Sequence, residues 1–170
     1  MELNHIISPD DYRNKQIYNS YITSFPEDER RDWMKFVNLF SNPNAKVFSI
    51  FNECENVGYV IMWELSAFTF VEHFEIFTEY RNQRLGSKFI DLLKENHSKI
   101  ILEIEPENLS EDARRRFSFY QKNGLMLIDE MYIQPSYGAG KKNLEMWLLA
   151  NFQPVNLKET EDEIYDVVYH

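Results

Sequence analysis

The chain has 170 residues, 44% of them hydrophobic and 15% aromatic, with a formal charge of −10 and a pI near 4.9. That length and apolar content exclude disorder and fit one ordinary domain with a well-filled core. The acidity excludes a general nucleic-acid binder, which needs a basic face for phosphate neutralisation.

The run Ser8-Pro9-Asp10-Asp11 predicts a helix start, with Ser8 as cap and Pro9 in the first turn. That helix carries Tyr12, Ile17, Tyr18, Tyr21, Ile22 and Phe25 and is interrupted by Pro26. A second helix opens on the acidic Glu27-Asp28-Glu29, shows Trp33, Phe36, Val37 and Phe40 at helical spacing, and ends at Ser41-Asn42-Pro43-Asn44. Three strands are predicted next, over 46–51, 57–65 and 68–77, joined by short polar breaks that favour antiparallel hairpins. A helix with Leu85, Phe89, Leu92 and Leu93 inside follows, then a strand over 99–105 stopped by Pro106. The helix between them makes that strand a parallel neighbour of the previous one. Ser110 caps a helix whose inner face is Ala113, Phe117 and Tyr120, and Asn123-Gly124 stops it. Two last strands, 125–133 and 144–151, lead to an acidic tail with Leu157, Ile164, Val167 and Val168 at helical spacing. The expectation is one α+β domain over 1–152, a mixed sheet flanked by helices, with 153–170 as a helical tail packed on it.

Between the third strand and its helix stands Tyr80-Arg81-Asn82-Gln83-Arg84-Leu85-Gly86-Ser87. A strand turning tightly into a helix presents free backbone N–H groups and the positive end of the helix dipole, which bind phosphate. Arg81 and Arg84 add full charge, so a phosphate-bearing cofactor is expected there; the alternative is an ordinary turn with two solvated arginines. No metal is expected, because His5, His73, His97 and His170 have no ligand spacing and the lone Cys54 sits between Glu53 and Glu55. With no long apolar run and no basic leader, the expected location is cytoplasmic, without membrane contact.

The order of elements, with Arg81, Arg84 and Gly86 at the start of the central helix, resembles the GCN5-related N-acetyltransferase (GNAT) superfamily. The segments Phe119-Tyr120-Gln121-Lys122-Asn123-Gly124 and Val71-Glu72-His73-Phe74-Glu75-Ile76 resemble that family's helix end and central strand. Arg84 departs from its pattern by standing where a glycine is usual. The resemblance implies a mostly antiparallel sheet with one splayed parallel pair and acetyl-coenzyme A as co-substrate. It places the coenzyme's diphosphate on Arg81, Asn82, Gln83, Arg84, Gly86 and Ser87, its pantetheine arm on the backbone of Phe74 to Ile76, and a further contact on Asn108.

The acceptor is then an amine on a small molecule or peptide, and it must be neutral to attack. For an amine of pKa about 10.4, deprotonation at pH 7 costs roughly 4.6 kcal/mol, so a base is valuable. Strict alternation puts Glu72 on one face with Phe68, Phe70, Phe74 and Ile76, which would raise its pKa toward that of a general base. The alternative is a buried Glu72 satisfied by a tyrosine or arginine, with Glu103 and Glu105 as other candidates. His73 is expected on the opposite face, packed. Tyr120 matches the tyrosine that protonates the departing thiolate in many members. The competing readings are an inactive acyl-coenzyme A sensor and an interaction protein; a monomer and a homodimer are both open.

Overall fold

The computed structural model describes residues 1–169. Its elements in chain order are β1 (Glu2–Ile6), α1 (Arg13–Ser24), α2 (Trp33–Asn38), β2 (Ala45–Asn52), β3 (Glu55–Glu64), β4 (Thr69–Ile76), α3 (Leu85–Asn96), β5 (Ile100–Ile104) and α4 (Glu111–Lys122). There follow β6 (Met126–Asp129), β7 (Ile133–Gln134), β8 (Leu144–Glu145), β9 (Trp147–Ala150) and α5 (Leu157–Ile164), with a π-helical turn over Tyr165–Tyr169. Seven strands form one sheet in the order β1-β2-β3-β4-β5-β9-β6, and β7 and β8 make a separate short ribbon. Every pair in the large sheet is antiparallel except β4 with β5. The mixed sheet with one parallel pair, expected from the helix between the two strands, is what forms.

Helices cover both faces. One core packs Ile17, Tyr21 and Phe36 of α1 and α2 against Tyr59, Ile61, Trp63 and Phe70, with Ile164 and Val168 of the C-terminal segment. The other packs Leu85, Phe89 and Leu93 of α3 and Phe117 and Tyr120 of α4 against Val60, Met62, Val71 and Leu102. Local signals set several boundaries as expected. The Ser110 hydroxyl accepts from the Ala113 N–H at 3.0 Å, and Gly124 takes the left-handed φ of +84° that ends α4.

Other boundaries differ. The first helix begins at Arg13, because Ser8 and Asp11 organise a preceding turn instead: the Asn14 amide donates to the Ser8 and Pro9 carbonyls, and Asp11 accepts from the Arg13 N–H. Glu27–Glu29 is a single 3-10 turn, and the true second helix is capped by Asp32, whose carboxylate accepts from the Lys35 N–H at 2.9 Å. An edge strand, β1, precedes everything and pairs with β2. The two last expected strands each break, into β6 and β7 and into β8 and β9. No helix among the described residues is long and apolar enough to cross a membrane.

Gly58 in β3 is fixed by proximity: a Cβ there would lie 2.1 Å from the Glu75 carbonyl oxygen. Gly58→Ala must push β3 from β4 and is expected to cost about 1–3 kcal/mol in urea denaturation. An unchanged midpoint would show that the strands part freely.

Candidate active site

The parallel ladder is short. β4 pairs with β5 only over Thr69–Val71 against Ile100–Leu102, although β4 runs on to Ile76 and β5 to Ile104. The two strands therefore splay, and a cavity of about 760 Å³ opens between them. It reaches both faces of the sheet, touching Leu85 to Ser87, Phe119 and Tyr120 on the α3–α4 side and Phe25, Glu29, Gln134 and Met146 on the other.

On the α3 side the loop has the form of an anion cradle. Asn82 and Arg84 hold φ of +64° and +60°, and α3 starts from Arg84 without a side-chain cap. The first bond of the helix is from the Lys88 N–H to the Arg84 carbonyl, so the amides ahead of it have no intrahelical acceptor. Left-handed backbone is free to a glycine and costs another residue roughly 1–2 kcal/mol. Arg84 adopts it as an exposed residue at the edge of the cavity. Gly86 packs closely on α4, since a Cβ there would lie 3.1 Å from the Phe119 ring and would make the ring shift slightly. Arg81 lines the cavity too, but its guanidinium is turned back along β4. It donates to the Ile76 carbonyl at 3.0 Å and to Glu75 at 3.1 Å, so much of its charge is already answered.

Of the residues expected to hold a coenzyme, Phe74, Ile76, Arg81, Asn82, Arg84, Gly86 and Ser87 all line the cavity, and Phe74 stacks on Phe89. Gln83 and Asn108 are exposed and lie outside the lining. Asn108 sits in the turn before α4, facing solvent, so the contact expected of it has no counterpart in this geometry.

The alternation drawn for β4 is overturned by a bulge. His73 stands opposite Ile61 and Val71 opposite Met62, which leaves Glu72 as an extra residue in the strand. Beyond it the faces exchange. Phe74 and Ile76 join the α3 side, while Glu72, His73 and Glu75 all face α1, α2 and the C-terminal segment.

Glu72 is consequently not a carboxylate among apolar neighbours. Its side chain is fully buried and accepts from Arg31 Nε at 2.9 Å, Trp63 Nε1 at 2.7 Å and the Tyr137 hydroxyl at 2.7 Å. Burial alone would raise its pKa, but Arg31, His73 and the donated hydrogen bonds outweigh it and hold the carboxyl below the usual range. The expected raised base at this position is thus corrected: Glu72 anchors Arg31, which also reaches the Val168 carbonyl at 2.8 Å.

The raised carboxyl is Glu103, on β5. Burial, with Glu72 and Glu29 nearby, pushes it up to about 8, against a hydrogen bond of 2.5 Å from the Tyr169 hydroxyl. The Tyr132 hydroxyl lies close to the same carboxyl and lowers its pKa in part. His73 donates from Nε2 to the Glu29 carbonyl, which leaves Nδ1 as a lone-pair site with no partner; burial lowers its pKa and keeps the ring neutral. Gln134 on β7 is 1% exposed with an unpartnered Nε2. On the other side Tyr120 lines the cavity, and burial lifts its phenol to about 12. Sequence alone gave no signal for Gln134, and His73 was hidden by the bulge. Among the described residues no cluster suited to a metal ion occurs, and His170 lies outside them.

A chain from Bacteroides thetaiotaomicron, assigned to the GNAT family of acetyltransferases, superposes with a TM-score of 0.90 at 26% identity, over 99% of this chain and 98% of that one. The fold of this chain is that of the GNAT acetyltransferases. An aminoglycoside 6'-N-acetyltransferase complexed with coenzyme A has the same GNAT fold, with a TM-score of 0.62 at 12% identity over 92% of this chain and 100% of that one. In sequence, 75 residues are 33% identical to the Bacillus subtilis protein YjbC, named as an acetyltransferase, a match that spans 43% of this chain and only 39% of that protein. No protein-family model matches the chain. The splay, the cradle loop and Tyr120 therefore stand in a GNAT fold.

Proposed function

We propose that the protein is an N-acetyltransferase that moves an acetyl group from acetyl-coenzyme A directly to a primary amine. The observation that carries this reading is the cavity through the splayed sheet, with a cradle of free amides at one end and ionisable side chains at the other. The cradle fits a diphosphate: consecutive N–H groups at the start of α3, Gly86 set close against α4, and Arg84 in reach of solvent-side oxygens. Acetyl-coenzyme A supplies the acetyl group as a thioester, whose C–S bond breaks as the C–N bond to the amine forms.

The chain's own groups then handle two protons. One leaves the amine nitrogen for a base on the α1 side, where the Glu103 carboxyl has the strength required. The other is offered from the Tyr120 hydroxyl to the departing sulfur, and a phenol lifted to about 12 keeps that proton until a strong base appears. The apolar wall of Phe25, Phe74 and Met146 excludes water, which would otherwise compete for the acyl group.

Calorimetric titration with coenzyme A, followed by turnover of acetyl-coenzyme A against a panel of amines, tests the reading. Binding and turnover are both expected. Tyr120→Phe is expected to leave coenzyme A affinity unchanged and to lower turnover by about a hundredfold. Binding without turnover of any amine would identify a sensor instead, and absence of binding would exclude the coenzyme altogether.

A further inference from the structure

Two buried carboxylates on β4 are each paired with an arginine, and the two pairs differ in kind. The side chains of Glu72 and Arg31 are 0% and 10% exposed. Glu75 is likewise buried, at 4%, but its partner Arg81 is 50% exposed. Glu75 also has donors to spare. Its Oε2 accepts from the Ser20 hydroxyl at 2.9 Å and its Oε1 from the Ser24 hydroxyl at 2.5 Å, both on α1, and the Tyr59 hydroxyl lies close to the same carboxyl. The bond from Arg81, at 3.1 Å, is the longest of the three. Glu75 therefore stays hydrogen-bonded when Arg81 turns away, and the penalty of a bare buried carboxylate does not arise.

Arg81 also covers a position at the splay. The Phe77 N–H donates to the Val57 carbonyl, and Ile76 stands next to it, opposite Gly58. In an antiparallel ladder the polar groups of successive residues point to opposite sides, so those of Ile76 point away from β3 and into the splay. The ladder between β4 and β5 ends at Val71, well short of this residue. The Ile76 carbonyl is thus an open strand edge, of the kind that an extended ligand with an amide N–H pairs with. Arg81 Nε donates to that carbonyl at 3.0 Å. Asn82, Arg84 and the uncapped start of α3 follow directly in the chain and line the same cavity. One guanidinium therefore stands between the anion cradle and the strand edge.

Resting on the coenzyme A reading, we propose that Arg81 is a latch with two positions. In one, Glu75 holds it over the Ile76 carbonyl. In the other, it turns to a phosphate in the cradle and uncovers that carbonyl for the amide arm of the same ligand. A half-exposed ion pair is weak, and a phosphate oxygen with full charge and good hydrogen-bond geometry displaces it. Anion binding at the loop and arm binding at the strand then assist each other. A ligand with both parts gains from this coupling, whereas one with the arm alone breaks the Arg81 contacts and puts nothing in their place. The latch makes the splay selective for phosphate-bearing carriers over simple thioesters built on the same arm.

Calorimetry with three probes reads the latch without turnover: pantetheine, which is the arm without phosphate, inorganic diphosphate, and coenzyme A. In the parent, saturating diphosphate should tighten pantetheine binding about fivefold, and pantetheine should tighten diphosphate by the same factor. Arg81→Ala should bind pantetheine about threefold more tightly than the parent does, bind coenzyme A about tenfold more weakly, and show no coupling between the two fragments. Glu75→Gln, which loosens the latch and keeps Arg81, should instead bind coenzyme A about threefold more tightly. An arginine that only held phosphate would leave pantetheine alone, and one that only held the fold would shift both ligands the same way. Coenzyme A binding with pantetheine indifferent to both diphosphate and Arg81→Ala would overturn the latch and leave the coenzyme site standing. Failure of the parent to bind either diphosphate or coenzyme A would overturn the coenzyme reading and the latch with it.

Discussion

Glu72→Gln is expected to lower stability by about 3–5 kcal/mol, the usual consequence of removing one partner from a buried ion pair. Arg31 lies beneath the rings of Trp63 and Tyr137, with guanidinium-to-ring distances of 5.3 and 4.9 Å, and only the Val168 carbonyl and one neutral amide oxygen would remain to face its charge. At roughly 2–4 °C per kcal/mol for a chain of this size, the melting temperature should fall by about 10 °C. The effect has a pH signature. Glu72 in the fold titrates below its ordinary value of 4.5, so its contribution is present above that pH and is lost as pH falls through the lower folded value. The variant and the parent should therefore converge in acid. A Glu72→Gln protein of normal stability and much reduced turnover would make Glu72 a catalytic base after all.

Much of this site was legible before any coordinates. Ser110, Gly124 and the apolar rows of α3 and α4 each encode a local decision, and local decisions of that kind survive folding. The cradle loop belongs with them, since a strand, a turn and a helix start are consecutive in sequence. What escaped depends on non-local pairing. A single extra residue at Glu72 exchanges the faces of everything beyond it, and alternation counted along one strand has no means of registering a bulge set by its partner β3. The same exchange moved His73 from an inert place to the cavity wall. Edge strand β1, too short and too polar to stand out, is fixed by its pairing with β2.

The tail illustrates the point most fully. Read alone, 153–170 is an acidic amphipathic appendage, yet it supplies Ile164 and Val168 to the core, a carbonyl to Arg31 and the Tyr169 hydroxyl to Glu103. The wall where we place the acceptor is thus assembled from both ends of the chain and from the middle of the sheet. No window of sequence contains it.

Glu103→Gln should make the protein more stable in alkali while abolishing its activity. In the unfolded chain this carboxyl titrates near 4.5, and in the fold near 8. Between those values the folded state holds a proton that the unfolded state has released, so stability falls as pH rises through the interval. Glutamine keeps an oxygen for the Tyr169 hydroxyl and carries no charge to bury. Parent and variant are expected to match below about pH 4.5 and to diverge above it, reaching roughly 2–4 kcal/mol in the variant's favour near pH 9, discounted from about 1.4 kcal/mol per pKa unit. The groups facing Glu103 set the size of the gap. Glu29 and Glu72 raise it, while Tyr169 and Tyr132 offset part of it, and Gln134 and the neutral His73 on the same wall add no charge. Turnover should respond in the opposite sense, rising toward pH 8 in the parent as the carboxylate forms, and losing that limb in the variant. Equal melting temperatures across the range would mean that Glu103 titrates normally and is solvated. A stabilised, inactive Glu103→Gln would mean that the fold tolerates an ill-placed carboxyl because the reaction needs it there, the usual sign of a functional group held against its own stability.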